Sequence, residues 1–501
     1  MLAAVRSAAV LGVDAFDVTV EVDCSRGLPN WSIVGLPASS VKESRERVSA
    51  ALANAGLDLP PRRITINLAP ADVHKSGTAF DLPIAIGVLI AFELIDPEAT
   101  RDAVFLGELG LDGSIRPVRG ALSVARRLAR ERPTPTLVIP PANVAEASLV
   151  RDLPLCAPVH IVELLDGLRS RRLPRPAHAP AHGPANDSAD FADVIGQDAA
   201  KRALEIAAGG GHNVLLIGPP GAGKTMLARR LPSILPTLTE DEALEVTAIH
   251  SVAGLLNGND GMRERPFRAP HHSVSTAGLV GGGSVPRPGE VSLAHNGVLF
   301  LDELLEFPRR TLESLRQPLE DGRVTIARAN STLTYPARFA LVAAMNACPC
   351  GHAGDPARAC HCSETEIQSY RARLSGPLLD RIDLHLTLLP VPIRQLSARG
   401  GAERSAVVRA RVEQARGRQR ARFTGSCISC NAQANGRLFV RSLSTESRSL
   451  MDSAAEALTL SARAYHRVAK VARTIADLAA SEEILAEHVA EALRYRTPAT
   501  R

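Results

Sequence analysis

The sequence predicts an α/β fold that finishes in a helical C-terminal region, and three observations carry that expectation. Asn213-Val-Leu-Leu-Ile217 is a short apolar run of strand type, joined by Gly218-Pro-Pro-Gly-Ala-Gly-Lys-Thr225 to a helical Met226-Leu-Ala-Arg-Arg-Leu231. Gly297-Val-Leu-Phe-Leu301 and Phe339-Ala-Leu-Val-Ala-Ala-Met345 read as further buried strands, closing on Asp302-Glu303 and on Asn346. Beyond residue 390 strand signals fade, and Ala, Leu, Arg and Glu recur at helical spacing.

The elements follow in order. Asp17-Val-Thr-Val-Glu-Val-Asp23 alternates like a strand, and with Asp14 and Asp17 in the way the N-terminus makes no signal peptide. The longest apolar stretch, Leu82 to Phe92, stops at Glu93 and is too short to span a bilayer. The expected compartment is therefore the cytoplasm, with no membrane partner. Residues 1–170 form the first α/β domain. Residues 171–190, with Pro174, Pro176, Pro180 and Pro184, read as an extended linker. Residues 191–390 hold the second α/β domain and 391–501 the helical region. A chain of 501 residues, 45% hydrophobic and 22% charged, has room for several cores of its own. The net charge of +5 permits a nucleic-acid partner without demanding one. Only five lysines occur, so Lys224 is seldom an accident of composition.

Gly218, Pro219, Pro220, Gly221, Ala222, Gly223, Lys224 and Thr225 fit the phosphate loop G-x-x-x-x-G-K-[ST]. Its glycines let backbone N–H groups wrap an anion at a helix N-terminus. Lys224 can then reach the β/γ-phosphates, while Thr225 and Asp302 can hold Mg²⁺. Glu303 is placed to polarise an attacking water. The chain is thus expected to bind ATP with Mg²⁺ and hydrolyse it.

Longer motifs sharpen the reading. Phe191-Ala-Asp-Val-Ile-Gly-Gln-Asp198, with the phosphate loop, resembles the opening of an AAA+ ATPase of the magnesium-chelatase clade. Phe267-Arg-Ala-Pro-His-His-Ser-Val-Ser-Thr-Ala-Gly-Leu-Val-Gly-Gly-Gly283 and Pro288-Gly-Glu-Val-Ser-Leu-Ala-His-Asn-Gly297 resemble the YifB/ComM family. That resemblance implies a central AAA+ domain, a helical lid and an oligomer, expected to be a hexamer. It makes Asn346 the sensor-1 residue, Arg381 in Leu374-Ser-Gly-Pro-Leu-Leu-Asp-Arg-Ile-Asp383 an arginine finger, and Arg463 the cis sensor-2 cation. Arg381 could instead pair with Asp380 or Asp383, and Arg467 competes with Arg463. The extra length between Lys224 and Asp302 is consistent with the clade's insert. Residues 320–330 read as a hairpin with a turn signal at Asp321-Gly322. In related ring motors such loops face the pore, which makes Arg323 and Arg328 candidate DNA contacts, against a simple solvated hairpin. The ComM branch implies a helicase or branch-migration motor on single-stranded or branched DNA in natural transformation and recombination. The alternative is a chelatase-like ATPase that remodels a protein partner.

Phe105-Leu-Gly-Glu-Leu-Gly-Leu-Asp-Gly-Ser-Ile-Arg-Pro-Val-Arg-Gly120 and Val138-Ile-Pro-Pro-Ala-Asn143 are similar to the Lon-type peptidase fold. That chemistry needs a Ser nucleophile and a Lys base. Asp81 falls near the expected Ser and Leu122 near the expected Lys, so the resemblance implies the fold without the dyad.

Cys348, Cys350, Cys360 and Cys362 put four thiols within 15 residues, enough to close a tetrahedral Zn²⁺ shell, with His361 a possible substitute. Disulfides are the alternative, disfavoured in a cytosolic chain. Cys427-Ile-Ser-Cys430 has no matching second pair. Arg409, Arg411, Arg416, Arg418, Arg420 and Arg422 form the densest basic run, read equally well as a phosphate-binding surface or a solvated helix face.

Overall fold

A computed structural model describes residues 2–73, 75, 77–176, 189–256, 261–283, 286–328, 331–355, 358–392 and 403–496. Most of the linker thus lies outside the described residues, as do His74 and Ser76 beside Lys75. The chain divides into two compact units.

The first unit comprises Met1–Pro184 with Ala243–Met262. Its main sheet runs Leu2–Leu11, Asp14–Ser25, Arg63–Ala69, Asn30–Val34, antiparallel except for the last pair. Val18, Val20 and Val22 point inward at every second position of the second strand, as the alternation requires. The apolar stretch found in the sequence is the helix Asp81–Ala91, buried along its whole length. A Cβ on Gly87 would come 2.7 Å from Val22 Cγ2, so glycine is what lets this helix lie close to the sheet. A third part of the unit comes from far along the chain: the backbone N–H of Gly120 donates to Ser251 Oγ at 3.0 Å. The extra length between Lys224 and Asp302 therefore supplies, in Ala243–Met262, a piece of the N-terminal unit.

The second unit comprises Ala185–Glu242 and Arg263–Arg501. Five parallel strands run in the order Phe267–Arg268, Val298–Leu301, Ala340–Met345, Val214–Ile217, Leu384–Thr387. Alternate residues serve the two faces. Leu216, Phe300 and Val342 face a core shared with the helices Asp198–Gly210, Lys224–Ile234 and Ala462–Leu478. Leu215, Leu299 and Leu341 face a second core with Leu304, Leu312 and Leu378. Burial on both faces is why these strands read as unbroken apolar runs. Each such side chain contributes about 1.5–3 kcal/mol on burial. The polar residues then fall just past the C-terminal strand ends, where open α/β sheets place ligands.

Asp321-Gly322 is not the hairpin's turn. Asp321 ends the helix Arg316–Asp321 and Gly322, at φ +65°, caps it in the left-handed region that glycine favours. The hairpin itself pairs Arg323–Arg328 with Ser331–Pro336. No helix among the described residues is long and apolar enough to cross a membrane.

Candidate nucleotide site

The Val214–Ile217 strand delivers the chain to the phosphate loop, and the helix Lys224–Ile234 begins at its end. Gly221 and Gly223 have φ of +79° and +87°, and a Cβ at either would meet no atom within 4 Å. They are glycines for backbone shape rather than for packing, which suits a loop whose N–H groups converge on phosphate. Lys224 Nζ donates to the carbonyls of Gly218 at 2.6 Å and Pro219 at 3.0 Å, and to Asn346 Oδ1 at 3.1 Å. Burial pushes its ammonium below the usual lysine range, against the pull of Asp302 and Glu303. Thr225 Oγ1 donates to Asp302 Oδ2 at 2.7 Å, so the two expected Mg²⁺ ligands already touch. Glu303 takes φ +50°, a left-handed backbone that costs a non-glycine residue roughly 1–2 kcal/mol. Such strain collects at functional sites. These side chains line a cavity of about 740 Å³ with Gln197 and Tyr370.

The three basic candidates gather elsewhere. Arg381, Arg463 and Arg467 line a second cavity of about 680 Å³ and are absent from the first. Arg381 pairs with Glu320, not with Asp380 or Asp383, and donates to the Pro377 carbonyl at 2.7 Å. Arg463 lies 3.9 Å from the same Glu320, whose carboxyl Arg381 above all holds below its ordinary range. Arg467 pairs with Asp383. Arg463, expected as the cis sensor-2 cation, stands beside Arg381 in this second cavity.

Residues 190–396 match the family model described as magnesium chelatase, subunit ChlI, residues 20–143 that of subunit ChlI of Mg-chelatase, and residues 402–496 that of its C-terminal part. The chain is 45% identical over 504 residues to the competence protein ComM of Haemophilus influenzae, covering 99% of this chain and 97% of that one. It is 44% identical over 503 residues to YifB of Escherichia coli, with the same coverage. The chain belongs to the YifB/ComM family. As a YifB/ComM protein it is of the AAA+ ATPase type. A shorter likeness, 30% over 146 residues, joins 28% of the chain to 26% of Lon protease 2 of Bacillus subtilis.

In this YifB/ComM chain the position near the expected peptidase serine is a structural acid. Asp81 is buried and clamped by Arg47, Nε to Oδ2 at 2.6 Å and Nη2 to Oδ1 at 2.9 Å. Leu122 is wholly buried. Neither supplies the serine hydroxyl or the lysine amine of the dyad.

The four clustered cysteines do converge. Cys348 Sγ lies 3.3 Å from Cys350 Sγ and 3.6 Å from Cys360 Sγ, and all four sulfurs fall within 4.8 Å of one another. A tetrahedron of thiolates at about 2.3 Å from Zn²⁺ has edges of about 3.8 Å, which this set fits. The His352 backbone N–H and the Cys348 thiol hold Cys350 down to about 6, toward the thiolate a metal needs. The knuckle also adjoins the nucleotide site, since a Cβ on Gly351 would come 3.0 Å from Pro220 Cδ.

Five of the six arginines of the basic run on the helix Ser405–Arg422 have acceptors within their own unit, and Arg420 is exposed in the second cavity. Arg409 donates to the Ser233 carbonyl at 2.9 Å, Arg411 to Glu205 at 2.6 Å, Arg416 to the Ala208 carbonyl at 3.2 Å and Arg418 to the Asp477 carbonyl at 2.9 Å. Arg422 pairs with Asp477. Five guanidinium groups thus tie this helix to the rest of its unit. On the hairpin, Arg323 is exposed, while the Arg328 side chain lies outside the described ones. Two participants were given no role by the sequence: Glu320, between two arginines, and His272, within the Phe267–Gly283 motif, whose Nδ1 stands 3.4 Å from Glu303 Oε2.

Proposed function

We propose that this chain is the subunit of a cytoplasmic, hexameric ATP-driven motor that moves single-stranded or branched DNA, acting in branch migration during transformation and recombination. The observation that carries the reading is the full-length kinship with a protein named for competence, joined to a nucleotide site complete in its loop, acid and base. The proposed plan has a peptidase-like unit without the dyad at 1–170, a linker at 171–190, the motor at 191–390 and the lid at 391–501.

In this reading the loop N–H groups and Lys224 bind the triphosphate, and desolvation of Lys224 strengthens its grip on the β/γ oxygens. Thr225 and Asp302 would hold Mg²⁺, which when bound offsets the charge on those oxygens. The Glu303 carboxylate accepts a proton from the attacking water, whose oxygen bonds to the γ-phosphorus as the bond to the ADP oxygen breaks. Asn346, poised by Lys224, orients that water. Arg381 stabilises transferred charge from a neighbouring subunit, and Arg463 supplies the sensor-2 cation of its own. Cys348, Cys350, Cys360 and Cys362 would hold one structural Zn²⁺.

The test is a salt titration of binding to single-stranded, forked and four-way-junction DNA with ATP present. Arginine–phosphate contacts release counterions, so affinity should fall steeply with salt and depend little on sequence. Wild type should migrate the junction, and Arg323→Ala/Arg328→Ala should keep ATP turnover while losing DNA movement. If assembled wild type neither binds nor remodels any of these at low salt, remodelling of a protein partner becomes the reading.

A further inference from the structure

One end of the first unit's main sheet carries charge and apolar surface that the nucleotide site does not use. The strands Asp14–Ser25 and Asn30–Val34 lie on either side of Arg63–Ala69, and Ser25 and Asn30 are both in register with Arg63. The link between them, Arg26-Gly-Leu-Pro29, must therefore cross the end of the middle strand at Arg63. A Cβ on Gly27 would come 3.8 Å from Arg63 Cβ, which puts the crossing directly against that residue.

Leu28, on this crossing, is 88% exposed, more than any other large apolar side chain among the described residues. Arg26, Arg62 and Arg63 are exposed beside it. The Arg62 guanidinium stands over the Phe92 ring at 5.4 Å, a contact that positions the charge without neutralising it. No ion pair holds any of the three arginines among the described residues, and Asp23 and Asp58, the acids nearest along the chain, pair with none of them. Trp31 and Phe92 are themselves packed half-buried against the core of the unit, so the crossing stands on a rigid base. Three unneutralised guanidinium groups call for phosphates, and a bare leucine among them calls for an apolar face. Nucleic acid offers both at once, since side chains such as Leu and Pro insert at base steps while arginines hold the backbone.

We propose that the Arg26–Pro29 crossing, with Arg62 and Arg63, is a DNA contact of the first unit, its guanidinium groups on phosphates and Leu28 on a base step. The contact rests on the DNA reading above and gives the peptidase-like unit a task that ATP chemistry does not. Unstacking a base costs least where pairing is already broken, so the crossing favours a fork over a continuous duplex.

The full chain, with ATP present, is titrated with a labelled forked DNA and a labelled blunt duplex over a range of salt. Leu28→Ala should weaken fork binding about fivefold, the low end for losing one stacked base, and leave the duplex nearly unchanged. Arg26→Ala/Arg62→Ala/Arg63→Ala should weaken both, and log affinity should fall with log salt less steeply by about three, roughly one for each lost phosphate contact. Trp31, the chain's only tryptophan, should change its emission when wild type binds the fork, and change less in Leu28→Ala. DNA-free ATP turnover should stay at the wild-type rate in both variants, since none of these residues lines the nucleotide cavity. Wild-type affinity for both DNAs, with an unchanged salt slope, in both variants overturns the contact and leaves the motor reading in place. A wild type that binds neither DNA removes that reading and the contact together. A changed oligomeric state in either variant, with DNA affinity kept, makes the crossing a contact between copies of the chain instead.

Discussion

Asp383 ties three separate stretches of the second unit together. Its Oδ2 lies 3.1 Å from His212 Nδ1 and accepts the Asn213 backbone N–H at 3.3 Å, while Oδ1 pairs with Arg467 on the helix Ala462–Leu478. Burial opposes its ionisation, but Arg467 and His212 outweigh that and hold the carboxyl well below the ordinary aspartate range. A depressed carboxyl contributes stability above its unfolded pKa and loses it as pH falls toward the folded value. Asp383→Ala leaves Arg467 and His212 without their acceptor and should cost about 3 kcal/mol, with Asp383→Asn near half of that. The gap between wild type and Asp383→Asn should narrow below about pH 4. Amide hydrogen exchange on Val214–Ile217 reads this directly. Fluorescence of Trp31 would not, because the chain's single tryptophan lies in the other unit. Equal protection in all three proteins at neutral pH would show the site to be slack.

The cysteine knuckle is an element that joins two walls of the nucleotide cavity. Asn346 precedes Cys348, and Cys362 leads into the helix Glu364–Arg371, capped by Ser363 and Glu366, which carries Tyr370 into the cavity wall. Arg371 Nε returns to the Ala347 carbonyl at 3.3 Å. One zinc per chain should therefore be found by elemental analysis. Cys360→Ser should lose the metal and raise KM for ATP severalfold, because the Asn346 and Tyr370 walls are no longer cross-linked. Zinc-replete protein without metal, and with four freely titrating thiols, would remove the claim. The phosphate loop, the acid pair and this knuckle were legible because each is contiguous or nearly so and its chemistry needs those residue types. Other features were not, for physical reasons. Glu320 and His272 meet their partners only through tertiary folding. Gly322 gives the same local signal as helix cap or hairpin turn. The arginines of Ser405–Arg422 look like a free basic face until the acceptors at Ser233, Glu205, Ala208 and Asp477 are brought to them by the fold.

At the scale of the whole molecule, the proposed function divides the ATPase centre between two cavities of one chain. The loop, Asp302 and Glu303 line one cavity, whereas Arg381 and Arg463 line another with Glu320 between them. Arg381 in the second cavity serves hydrolysis only if a second copy brings its own loop to it. The head-to-tail contact this reading requires would repeat around a ring if its rotation closes. Lys224→Ala should fail to bind ATP, since the loop loses its charge on the phosphates, whereas Arg381→Ala should bind ATP and fail to turn it over. Mixed in equal amounts, the two broken proteins should regain activity. About a quarter of the contacts in a randomly mixed ring join an intact loop to an intact arginine, so turnover should approach about a quarter of wild type if the sites act independently. Arg381 also bonds Glu320 and the Pro377 carbonyl within its own chain, so the mixture must be shown to assemble. Assembled mixtures that stay inactive at every ratio would make Arg381 a structural residue. Full activity of Arg381→Ala alone would remove it from the reaction altogether.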